Sequence, residues 1–147
     1  VIGGPGHATT ATDPLRGFRA ELAHAGITLS HDRIVASDFE VHGGTAAGRA
    51  LLDRPDRPRA IFAVSDTIAI GVLGVARDLG LRIPDDLALI GYNDIPVAAQ
   101  LPVPLTTVRS PAREIGETAV RGLLDLAAGR NVGSRRLPVE LMVRGST

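Results

Sequence analysis

Short apolar runs along this chain alternate with longer stretches in which apolar residues recur at helical spacing, the pattern of βα units wound on a parallel sheet. Runs at 1–4, 33–36, 60–64, 87–91 and 105–108 read as strands. Between the first two, Asp13 suits an N-cap with Pro14 at the first helical position, and Leu15, Phe18, Leu22 and Ala25 share a face up to a stop at Gly26. Residues 44–53 predict a second helix, with Ala47, Ala50 and Leu51 inward, ended by the Arg54-Pro55 step. Ser65 or Asp66 caps a third that runs to Leu79, where Gly80 stops it, and Pro84 with Asp85-Asp86 makes the turn into the fourth strand. Three successive βαβ crossovers result, which predicts a three-layer α/β architecture.

Beyond Tyr92 the alternation stops. Pro96, Pro102 and Pro104 predict an extended connection or an edge strand over 95–104. Ser110 with Pro111 opens a long helix to about Ala128, and the tail 137–144 sets Val139, Leu141 and Val143 against Glu140, Met142 and Arg144, as a half-buried strand would. The third helix is unusual: Ile68, Ala69, Ile70, Val72, Leu73, Val75 and Ala76 leave it almost no polar face, so it needs cover on two sides, from this chain or from a second subunit.

The ends of two strands carry the candidate chemistry. One releases Ser65-Asp66 and the other Tyr92-Asn93-Asp94, and in open parallel sheets ligands collect outside the carboxyl ends of the strands. A length of 147 residues is one domain's worth, able to bury a core without disulfides or metal. Sixteen basic and sixteen acidic residues cancel, so no overall field draws the chain to DNA or an anionic membrane, and any DNA binding would need residues not present here. There is no cysteine, hence no disulfide and no thiolate zinc site, and His7, His24, His31 and His42 lack the spacing of a metal motif, so no cofactor is implied. The apolar run 68–76 is too short to span a bilayer and the first residues lack the regions of a signal peptide, so the chain reads as soluble with no address of its own, while the absence of cysteine permits a cytoplasmic location. Gly4-Pro5-Gly6 after the first strand lacks the third glycine of a dinucleotide fingerprint and reads as a turn. No Ser-His-Asp or Cys-His arrangement accompanies it, so an enzyme is the weakest reading.

Taken together, Ala60-Ile61-Phe62-Ala63-Val64-Ser65-Asp66, Ile83-Pro84-Asp85-Asp86, Gly91-Tyr92-Asn93-Asp94-Ile95-Pro96, Pro104-Leu105-Thr106-Thr107-Val108-Arg109, Glu114-Ile115-Gly116 and the ending from Leu137 to Thr147 resemble the LacI/GalR family of bacterial transcriptional regulators. The resemblance covers nearly the whole chain and is strongest from Ala60 onward. It implies the C-terminal part of an effector-binding domain with the type I periplasmic-binding-protein fold, residues 1–108 forming the subdomain core and 109–147 the crossover helix and terminal strands. A helix-turn-helix headpiece and a first subdomain would lie outside it. The implied role is to bind a small molecule, a sugar or related metabolite, between two subdomains of a homodimer and so control operator binding. An extracytoplasmic sugar receptor of the same fold is the alternative, and a signal peptide rather than a headpiece upstream would mark it.

Residue by residue, the resemblance sets Phe39 where an aromatic ring stacks on the ligand, Ser65 where an Asn or Ser faces ligand hydroxyls, and Asn93 where many members carry Asp. Phe39 also suits a core position, and Ser65 and Asn93 suit capping and turns equally. Asp66 joins the candidate ligand set, although as helix cap it suits a structural role better, as does Asp94 in its turn. The family's ligand-binding arginine is replaced by Pro14, and Arg16, two residues along the helix, is turned away by about 200°. The site is therefore less charged than a typical sugar-responsive one. The family's subunit contact falls on Ile70 and Leu73 and on the segment Ala98, Ala99, Gln100 and Leu101.

Overall fold

The computed structural model describes residues 1–5 and 9–147, the side chains of 9–11 excepted; Gly6 and His7 lie outside the described residues. The chain runs β1 (Ile2–Gly3), α1 (Thr9–His24), β2 (Val35–Ala36), α2 (Val41–Leu52), β3 (Ala60–Phe62), α3 (Asp66–Asp78), β4 (Ala88–Tyr92), β5 (Thr106–Arg109), α4 (Ala112–Ala127) and β6 (Glu140–Met142). β1 pairs with β2 in parallel, and β3, β4 and β5 form a second parallel set to which β6 adds antiparallel. An Ile2–Ala63 bridge and the bond from the Val64 amide to the Ile2 carbonyl (3.1 Å) join the two, giving the order β2-β1-β3-β4-β5-β6.

The strand order reverses direction between β1 and β3. Right-handed crossovers then put α1 on one face and α2 and α3 on the other. Phe18 of α1 stacks on Phe62 of β3 with ring centroids 5.5 Å apart, while its neighbour Ile61, pointing the other way, is buried in the main core. That core is built from Leu51 and Leu52 of α2, Ile68, Val72 and Val75 of α3, and Leu89 and Leu105 of the sheet. α2 supplies much of the cover that α3 requires. The two helices touch through glycine: a Cβ on Gly44 would fall on the Ile68 carbonyl, and one on Gly71 on the Val41 carbonyl.

Five expectations need correction. Thr9–His24 is one helix with Pro14 inside it, so Asp13 is not its N-cap; the Asp13 carboxylate instead accepts from Arg16 (2.9 Å). His31–Arg33 is a 3-10 turn, which shortens the second strand, and α2 starts three residues before the predicted Gly44. The 95–104 connection is not extended throughout: Pro96–Gln100 coils into a 3-10 helix that Pro96 opens with its fixed φ, and the Ala98 amide donates back to the Ile95 carbonyl. The tail pairs only over Glu140–Met142, and Val139, Leu141 and Val143 lie on its exposed side while Met142 and Arg144 are half-buried. Alternation marked two faces correctly and assigned the buried one wrongly.

Past β6 the chain turns back into the sheet. Ser146 is fully buried between β4 and β5, where its hydroxyl donates to the Leu89 carbonyl (2.6 Å) and accepts from the Thr106 amide (2.8 Å), and its carbonyl accepts from the Leu89 amide (2.8 Å). It fills a place in the ladder that neither strand fills for the other.

Candidate functional site: a cleft at the strand ends

A hollow of about 520 Å³ opens at the carboxyl ends of β3, β4 and β5, lined by Asp13, Pro14, Phe39, Val64, Tyr92, Asn93 and Ser110. It adjoins the point where the strand order reverses, where side chains from diverging connections leave room for a ligand. α1 brings Pro14 to it and the loop between β2 and α2 brings Phe39. The lining combines the Phe39 and Tyr92 rings with the Asn93 amide, the Ser110 hydroxyl and the Asp13 carboxylate, and it holds no cation.

The candidate ligand residues separate on this geometry. Phe39 and Asn93 meet in the hollow from connections far apart in sequence; Phe39 is partly exposed, and the Asn93 side chain has no hydrogen-bond partner among the described residues. Ser65 does not line it. Its hydroxyl accepts the Thr67 amide (3.2 Å) as the N-cap of α3 and the residue is buried. Asp66 is farther inside still, with no exposed surface: one carboxylate oxygen accepts the Thr107 hydroxyl (2.5 Å) and the other the Ile95 amide (2.9 Å). It offers a ligand nothing. Burial pushes the Asp66 carboxyl above its ordinary value, and the bonds from Thr107 and Ile95 offset this only in part.

Asn93 and Asp94 both adopt positive φ, 106° and 55°. Asp94 anchors the turn with a side chain only 7% exposed, accepting Arg144 (2.6 Å) on one oxygen and the Arg109 Nε (2.7 Å) on the other. Burial pushes its carboxyl up, but the hydrogen bonds from the two arginines outweigh this and hold it below the usual carboxylate range. The aspartates on either side of the strand ends are thus braces, while Asn93 is the group they leave free.

Tyr92, named in the sequence only as part of the strand-end cluster, lines the hollow, as do Val64 and Ser110, which were not expected there. Ser110 was findable, since it follows β5 as Asn93 follows β4. Tyr92 and Ser110 also border a second hollow, about 560 Å³, between α4 and residues 132–139, lined with Ile115, Leu123, Leu126, Val132, Leu137 and Val139. Of the residues expected at a subunit contact, Ile70, Leu73 and Leu101 are half-buried and Ala99 and Gln100 exposed, whereas Ala98 is fully buried and has no surface to offer. Among the described residues no group of histidine, aspartate or glutamate side chains could hold a metal ion, and no helix is long and apolar enough to cross a membrane.

Comparison with known proteins adds the family. The HTH-type transcriptional repressor CytR of Escherichia coli (strain K12) is 38% identical over 148 residues, and the ribose operon repressor of the same strain 39% identical over 147. The matches take in 99% of this chain but 43% and 44% of those proteins, so the chain spans less than half the length of the relatives it matches. Among solved structures, the transcriptional regulator CelR in complex with cellobiose superposes with a TM-score of 0.92 at 37% identity, covering 99% of this chain and 45% of that one. The lac repressor dimer bound to operator and the anti-inducer ONPF gives 0.94 at 28% identity, covering 99% and 51%. The periplasmic binding protein-like domain family matches across residues 1–147. The chain belongs to that family, in the form carried by LacI-type transcriptional regulators.

Proposed function

We propose that this chain is the effector-sensing part of a LacI-type regulator, acting by binding rather than catalysis. The observation that carries this is the meeting of Phe39 and Asn93 in one hollow at the strand ends. A ring presented beside a free amide suits a sugar or nucleoside-like metabolite, whose apolar face stacks on the ring and whose hydroxyls exchange hydrogen bonds with the amide. With Pro14 at the rim, Asp13 beside it and no cation in the lining, nothing there recognises an anionic group, which favours an uncharged, hydroxyl-bearing ligand. The ribose operon repressor and the cellobiose-bound CelR support that class of effector.

The hollow is open, and the second wall of the cleft belongs to a preceding subdomain against which α4 and the outer side of β6 also pack. Residues 1–108 then form one subdomain core and 109–147 the crossover. Ile70, Leu73, Ala99, Gln100 and Leu101 serve a homodimer, and operator DNA is met through a headpiece outside these residues. The lac repressor, solved as a dimer on operator, supports this arrangement.

Isothermal titration of the complete regulator with D-ribose, cellobiose and cytidine tests the site. At least one should bind, and Asn93→Ala should weaken it about tenfold, the value of one hydrogen bond to a buried polar group. Absence of binding by all three, or an unchanged affinity in Asn93→Ala, overturns the proposal.

A further inference from the structure

We propose that Asp66 is the positioning residue for Asn93: acting through the Thr107 hydroxyl and the Ile95 amide, its carboxylate fixes the positive-φ turn that holds Asn93 at the cleft. The inference deepens the site just described and rests on Asn93 being its ligand contact.

Two consecutive non-glycine residues at positive φ are uncommon even for Asn and Asp, and they persist only where the surroundings over-determine them. Here three successive amides are pinned. Asn93 donates to the Val108 carbonyl (2.8 Å), Asp94 to the Thr107 hydroxyl oxygen (3.3 Å) and Ile95 to Asp66 Oδ2 (2.9 Å). The middle bond depends on Asp66 as well. A hydroxyl has a single proton, and that of Thr107 goes to Asp66 Oδ1, which leaves its lone pairs toward Asp94. Asp66 therefore controls two of the three anchors, one directly and one by orienting Thr107.

A capping role does not account for this carboxylate. Ser65 already caps α3 by accepting the Thr67 amide, and both Asp66 oxygens turn away from the helix toward β5 and the turn. The chain is shaped around it. A Cβ on Gly91, the residue two before Asn93, would overlap Asp66 Oδ1, so glycine at that point of β4 admits the carboxylate beneath the turn. Its location in the first turn of α3 helps a buried negative charge, since the positive end of the helix dipole lies there.

NMR of the ligand-free chain tests the inference without reference to any effector. In Thr107→Val, which keeps the volume and deletes the hydroxyl, the Cα and Cβ shifts of Asn93 and Asp94 should leave the values of positive φ. The Asp94 and Ile95 amides should exchange at least tenfold faster while α3 stays protected, and Thr107→Ser should restore the wild-type shifts. Asp66→Asn is the second variant: with one acceptor oxygen in place of two, it can serve Thr107 or the Ile95 amide but not both, so the Asp94 or the Ile95 amide should exchange at least tenfold faster with α3 again intact. Unchanged Asn93 and Asp94 shifts in Thr107→Val overturn the inference, as do unchanged Asp94 and Ile95 amides in Asp66→Asn should Thr107→Val fail to fold. Failure of the ligand site would look different, leaving the turn dependent on Asp66 while Asn93→Ala has no effect on affinity.

Discussion

α3 and α4 are helices of similar length, 13 and 16 residues, both rich in aliphatic side chains, and the chain treats them oppositely. Ile68, Ala69, Val72, Val75 and Ala76 of α3 are buried, with α2 drawn close through Gly44 and Gly71. No residue of α4 is buried, and Leu123 and Leu124 are each 65% exposed. Leu141 and Val143 beyond it are exposed as well. Arg113, Glu117, Arg121 and Asp125 punctuate α4 at four-residue intervals, so its apolar residues form a stripe where those of α3 surround the helix. A stripe is made to lie on a core, and α3 is already inside one. Covering each exposed leucine would contribute about 1.5–3 kcal/mol, which is the size of the stabilisation α4 forgoes in this chain.

Substitutions should reveal this contrast as a gradient. The largest effect is expected at Gly71→Val, whose side chain would collide with the Val41 carbonyl and the Thr45 amide, backbone atoms that cannot move aside. Urea denaturation should show a loss of about 3 kcal/mol or no cooperative transition at all, and a loss below about 0.5 kcal/mol would mean that α2 and α3 are not in contact. Ser146→Ala comes next. It strands the buried Thr106 amide and removes a bond to Leu89, so about 1–3 kcal/mol should be lost in the same measurement, although Ser146 lies only a few residues from the exposed side of β6. Smallest is Leu124→Glu, expected within about 0.5 kcal/mol of wild type in this chain. A loss of 2 kcal/mol there would show α4 to be covered after all. The same substitution in the complete regulator, where the proposed subdomain lies against α4, should cost about 1.5–3 kcal/mol.

Much of the fold was legible because βα alternation is a local signal. β3 and β4, found within two residues of their predicted ends, the helix between them and the stops at Gly26 and Gly80 each depend on residues close in sequence, and both glycines adopt positive φ. What was not legible depends on distant partners. Pro96–Gln100 coils because Ala98 is drawn into the core and its carbonyl accepts the Leu105 amide, a contact no local pattern encodes. In β6 the alternation of Val139, Leu141 and Val143 distinguished two sides, but which side is covered depends on what lies against it. At the cleft, strand-end logic located Asn93 and also named Ser65 and Asp66, because polar residues just past a strand look alike whether they face solvent or cap the next helix. Val64 escaped notice for the complementary reason, being an apolar residue just past β3, and Tyr92, at the end of β4, was named in the strand-end cluster without a role of its own.

The burial of Ser146 also has a consequence for the order in which the molecule is completed. Its partner Leu89 is 57 residues upstream, so a ribosome delivers β4 long before the residue that finishes its hydrogen bonding. Until Ser146 emerges, the Leu89 and Thr106 backbone groups must stay hydrated or find substitutes, and the nascent sheet carries an open seam between β4 and β5. Assembly from the N-terminal end can therefore build the α2–α3 pair early, but it cannot seal the strand that bears the Asn93 turn until translation has passed beyond β6.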